Sequence, residues 1–146
     1  MQDLPHRYSV ASLANPEGDV TLQSNRLPAL ASAPPAEFGG PGDRWSPETL
    51  LVAAVADCFI LSFRAVARAA KLPWLSLRCE VEGTLDRVER ITQFTAFRVN
   101  ATLRVPSGTN EEQATKLLAR AEQICLITNS LKAPSHLQTA IEVAAA

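Results

Sequence analysis

The longest apolar run in the chain, ETLLVAAVADCFILSF at residues 48–63, is hydrophobic on every side when wound as a helix. SPE opens it, with Ser46 as N-cap, Pro47 at the first helical position and Glu48 against the positive end of the dipole. No Gly or Pro follows before Pro73, so the pattern predicts a helix from Pro47 to about Ala70, buried through its first half. Upstream, RYSVASLANPEGDVTLQS reads as two short strands around a turn at Pro16–Gly18. Between them and the helix, Pro28 to Pro47 is rich in Pro, Gly and Ala and reads as a long loop of the kind that borders a site or a partner.

Downstream the period changes from helical to alternating. In LSLRCEVEGTL, Leu75, Leu77, Cys79, Val81 and Leu85 face one way while Arg78, Glu80 and Glu82 face the other, the mark of a half-buried strand. A second strand carries Phe97, Val99, Ala101, Leu103 and Val105 on one face and stops at Pro106. SGTNEE turns the chain into a helix on which Ala114, Leu117, Leu118, Ala121, Ile124 and Cys125 share a face, and HLQTAIEVAAA closes as a strand. The order β-β-α-β-β-α-β, antiparallel in its hairpins, predicts an α+β fold.

Composition narrows the classes. At 146 residues the chain suits one domain, 1–146, with 47% apolar and 20% charged residues and a net charge of −1. No basic run exists for nucleic acid. MQDLPHRYS lacks the layout of a signal peptide, and Asp57, Ser62 and Arg64 interrupt the apolar run, so no membrane span and a cytoplasmic location are expected. The three cysteines form no CxxC pair, and His6 and His136 stand near opposite ends, so neither metal nor cofactor is expected. Cys79 reads as a small apolar group on its strand. Cys58 and Cys125 each lie on an apolar helix, where core packing and redox chemistry are both open readings. Glu48 has a sufficient explanation as a dipole partner, and Arg26 and Arg44, which flank the long loop, as solvated cations.

At this point a resemblance adds to the residues. SPETLLVAAVADCFILSF resembles the NPEELLAAALAACF helix of the OsmC/Ohr family of organic hydroperoxide reductases, and AEQICLITNSLK resembles that family's second-cysteine segment, CPxSN. PPAEFGGPGDRW and the order of elements are also similar, and the likeness extends from Tyr8 to Val143. It implies an intertwined homodimer in which antiparallel sheets wrap two long central helices, with active sites at the interface. By position it implies Cys58 as peroxidatic cysteine, Cys125 as resolving cysteine and Glu48 as holder of a catalytic arginine. Two departures stand out. The hairpin turn ANPEGD carries no arginine where the family has one, leaving Arg44, Arg26 and Arg7 as substitutes in that order, and Leu126 stands where the family has proline.

The implied chemistry is thiol peroxidase chemistry on an organic hydroperoxide, with a dithiol donor, dihydrolipoyl or thioredoxin-like, to regenerate the enzyme. Phe59, Phe63, Phe38 and Trp45 are the candidate walls for an alkyl or fatty-acyl tail. Glu48 and Cys58 are ten positions apart, about 15 Å on a straight helix, so a shared site would take its glutamate from a partner subunit. The alternatives are a thiol–disulfide redox protein or sensor with weak peroxidase activity, and a non-catalytic dimeric binding protein.

Overall fold

The computed structural model describes residues 1–146 as two compact units, Met1–Leu51 and Val52–Ala146, with one long helix beginning in the first and running on into the second. The first unit is an antiparallel sheet of three short strands, β1 (Ala11–Leu13), β2 (Val20–Gln23) and β3 (Leu30–Ser32), in that order. β3 lies inside the segment expected to be loop. Three residues between Pro28 and Pro34 are too few to show alternation, and β3 is a strand because β2 offers it an open edge. After it, a single 3₁₀ turn at Ala36–Phe38 folds the Pro-rich stretch back on itself. Gly40 N–H bonds Pro35 O at 3.0 Å. A Cβ on Gly40 would sit 1.6 Å from Pro34 O, so only glycine allows that approach. Trp45 then bridges to Ser32, with Ala33 N–H bonding Trp45 O at 2.9 Å.

The helix α1 spans Pro47–Ala70 and starts at Ser46 as expected. Ser46 Oγ accepts from Thr49 N–H at 3.1 Å while Ser46 N–H donates to Thr49 Oγ1 at 2.9 Å, a reciprocal box closed by threonine. In the second unit β4 (Ser76–Val88) and β5 (Ile91–Val105) form a long antiparallel hairpin with a bulge at Thr84/Leu85. Asn110 caps α2 (Glu111–Ile124) by accepting from Gln113 N–H at 3.0 Å, and the single turn α3 (Leu126–Asn129) follows. β6 (Ser135–Val143) joins the far edge of β5 in parallel, the direction a helical crossover imposes. The fold is α+β, with one strand (β3) and two single helical turns (Ala36–Phe38 and α3) more than the pattern predicted.

The core of the second unit explains the spacing on α1. Val55, Phe59, Phe63 and Ala67, every fourth residue, are buried, together with Phe97, Val99, Ala101, Leu103 and Val105 of β5 and Ala114, Leu118 and Ala121 of α2. Gly83 makes room for α1 against the sheet: a Cβ there would lie 2.9 Å from both Val52 Cγ2 and Phe94 Cε1. The opposite stripe of α1 is only partly covered, half-buried at Ala54 and Cys58 and exposed at Leu61 and Ala65. Ala54, Cys58, Leu61 and Ala65 recur at helical spacing there, and Leu61 is 51% exposed. The interruptions at Asp57, Ser62 and Arg64 do not make α1 too polar to cross a membrane by length and composition. An 18-residue window reaches a mean hydropathy of 2.0, with 22% of it buried. Its buried fourth-residue stripe fits the core helix of a folded domain.

Candidate active site

Two of the three cysteines meet. Cys58 lies halfway along α1, and Cys125 ends α2, where the chain breaks helical geometry before α3. Cys125 is buried and both thiols are free. Burial pushes the Cys125 thiol up, hydrogen bonds from Thr128 oppose this, and a hydrogen bond with the Cys58 thiol adds to the rise. Thr128 also ties the turn, its hydroxyl donating to Cys125 O at 3.1 Å. Cys58 Sγ lies 3.9 Å from Ser62 Oγ, one helical turn on. The helix-to-helix break at Cys125 thus sets a buried thiol beside a half-buried one.

Cys79 stands close by on β4. Burial, with a smaller contribution from Cys125, pushes its thiol up to about 11. At pH 8 about a thousandth of such a thiol is ionised, so Cys79 should alkylate with iodoacetamide about 100-fold more slowly than a free cysteine. Timed alkylation with peptide mapping reads this, and recovery of the rate in urea assigns the effect to the fold.

In the first unit, Glu48 and Phe38 line a cavity of about 510 Å³ with Val20, Leu22, Pro34 and Leu50. Glu48 Oε2 is buried there without a hydrogen-bond partner. An unpaired carboxylate oxygen in an apolar hollow is costly and calls for a donor. Arg44 does not supply it within the chain. Its Nε pairs with Asp19 at 3.0 Å and its Nη1 with Asp43 at 3.3 Å, and the Asp19 hydrogen bond, with Coulombic attraction from both, raises its pKa. Trp45 lines a separate hollow of about 300 Å³ beside Arg44. Phe59 and Phe63 are 2% and 0% exposed, so they pack the core and offer a ligand no surface. Their four-residue spacing with Val55 and Ala67 is the signal for that role.

Glu122, which no motif singles out, also has its Oε2 buried and unpartnered. Burial raises its pKa, with His136 opposing. A carboxyl raised in the fold contributes stability below its ordinary value and loses it as pH rises through the folded value. Glu122→Gln should therefore raise the melting temperature modestly at neutral pH, since the group is only part-buried, and the gain should shrink on acidification through the ordinary carboxylate range. Thermal unfolding across pH measures it.

Comparison with known proteins gives the chain a family. The chain belongs to the OsmC-like protein family, whose model matches residues 40–140. It is 30% identical over 118 residues, 80% of each chain, to the organic hydroperoxide resistance protein of Xanthomonas axonopodis pv. citri. It is 27% identical over 137 residues, 91% of each, to the uncharacterized protein YmaD of Bacillus subtilis. Among solved structures, an OsmC-like protein of unknown function from Vibrio cholerae superposes with a TM-score of 0.83 at 16% identity, covering 92% of this chain and 99% of that one. An organic hydroperoxide resistance protein from Legionella pneumophila gives 0.75 at 24% identity, with 97% and 100% covered. The expected family and its fold are both found.

Proposed function

We propose that the protein is a thiol peroxidase for organic hydroperoxides, with Cys58 as the attacking thiol and Cys125 as its resolving partner. The observation that carries this reading is that the Cys58 thiol lies close enough to Cys125, at the break between α2 and α3, to help push the Cys125 thiol up. Family membership with organic hydroperoxide resistance proteins supports it.

Cys58 thiolate attacks one peroxide oxygen, the O–O bond breaks, and the departing alkoxide takes a proton to become the alcohol. The Cys58 sulfenic acid then condenses with the Cys125 thiol, releasing water and leaving a disulfide before further oxidation can occur. A dithiol, dihydrolipoyl or thioredoxin-like, reduces the disulfide and is itself oxidised. Apolar surroundings suit an alkyl or fatty-acyl tail, and Phe38 beside Glu48 fits that role better than the core residues Phe59 and Phe63. The polar head needs a cation. Glu48 lies ten residues before Cys58, about 15 Å along α1, so a partner subunit's glutamate serves each thiol. Arg44 must leave Asp19 and Asp43 to join it.

The part-exposed stripe Ala54–Cys58–Leu61–Ala65, with Leu61 half exposed, supports the dimer. Sedimentation at micromolar concentration should give twice the chain mass, and Leu61→Glu should shift it to monomer. A stable native monomer would contradict the shared site. Steady consumption of cumene hydroperoxide with dihydrolipoamide as donor tests the activity. Reversible disulfide formation without turnover would favour a redox sensor instead, the reading that Arg44's present ion pairs support.

A further inference from the structure

The second half of α1 carries cations that the proposed chemistry does not use. Arg64, Arg68 and Lys71 follow one another at helical spacing, all are exposed, and none has a carboxylate partner. With Leu72, Pro73 and Trp74 they line a cavity of about 510 Å³, within the range of small-molecule sites. Cations in the last turn of a helix complement its dipole, which accounts for Arg68 and Lys71. Arg64 stands six residues before the helix ends, outside that influence, and like charges at i and i+4 disfavour a helix. Asp57, the nearest acid before it on α1, is seven residues or about 10 Å away along the axis.

Two further features make this a built hollow. The Trp74 ring is fixed edge-on to Phe63, with centroids 5.4 Å apart and planes at 88°. Lys71 holds a left-handed φ of 57°, the turn that ends α1 and leads the chain into Leu72, Pro73 and Trp74.

We propose that this hollow binds a small organic polyanion, phosphorylated or polycarboxylated, with a flat apolar part. The guanidinium forks of Arg64 and Arg68 take the anionic oxygens, Lys71 adds charge, and Trp74 with Pro73 receives the flat part. The site is separate from the thiol pair and does not depend on the peroxidase reading.

Isothermal titration of the native protein at physiological salt tests it with three probes: adenosine diphosphate, benzene-1,3,5-tricarboxylate and inorganic pyrophosphate. At least one aromatic probe is expected to saturate one site per chain, at least tenfold more tightly than pyrophosphate. Arg64→Gln with Arg68→Gln, both exposed positions, should weaken it at least tenfold. Absence of saturable binding below millimolar concentration, equal affinity for pyrophosphate, or unchanged binding in the double variant would each overturn the assignment.

Discussion

Cys58→Ser is expected to bring hydroperoxide consumption down to the uncatalysed rate, at any concentration of dithiol donor. A serine hydroxyl is not ionised at neutral pH, and no oxygen analogue of the sulfenic acid can pass to Cys125. The size of the loss separates this residue from its neighbours. Cys125→Ser should keep a first turnover, because the O–O bond breaks before the second thiol acts, and then stall as Cys58 overoxidises. Cys79→Ala should retain wild-type turnover, since a thiol held near 11 contributes no thiolate at neutral pH. Peroxide consumption in single-turnover and steady-state modes distinguishes all three.

The second large effect belongs to Arg44. If its guanidinium leaves Asp19 and Asp43 to meet Glu48 at the shared site, Arg44→Ala should cut turnover by about 10²-fold or more, the scale seen when one oriented electrostatic donor is lost. Arg44→Lys should recover only part, because an ammonium keeps the charge without the planar fork. Asp19→Asn is the informative companion. It removes the closer of the two carboxylates that hold Arg44, at 3.0 Å, so it should leave turnover unchanged or raise it. Wild-type turnover in Arg44→Ala with an inactive Arg26→Ala would move the role to Arg26.

Most of the framework was legible because it rests on local patterns. Ser46, Pro47 and Glu48 announced α1, and the alternation through Cys79 and Val81 announced β4. The features that were not legible depend on contacts between distant residues. β3 is three residues long and is a strand only through β2. The direction of β6 leaves no mark in its own sequence; it follows from the crossover through α2. Phe59 and Phe63 looked like walls of a pocket because α1 is apolar on every side, and only the packed sheet distinguishes the face they occupy. Arg44 is held by Asp19, 25 residues away, which no motif links to it. The buried oxygens of Glu48 and Glu122 were equally hidden: Glu48 has a sufficient role as a dipole partner, and no pattern singles out Glu122 until packing encloses it.

The central claim is that Cys58 and Cys125 form one redox pair. The measurement that tests it most directly is non-reducing mass spectrometry after one equivalent of cumene hydroperoxide, with free thiols alkylated under denaturing conditions. The account predicts a loss of about 2 Da per chain, a cross-linked peptide joining Cys58 to Cys125, and Cys79 recovered as the alkylated thiol. A mass gain of one or more oxygens at Cys58 with Cys125 still free, or a bridge that uses Cys79, would contradict it.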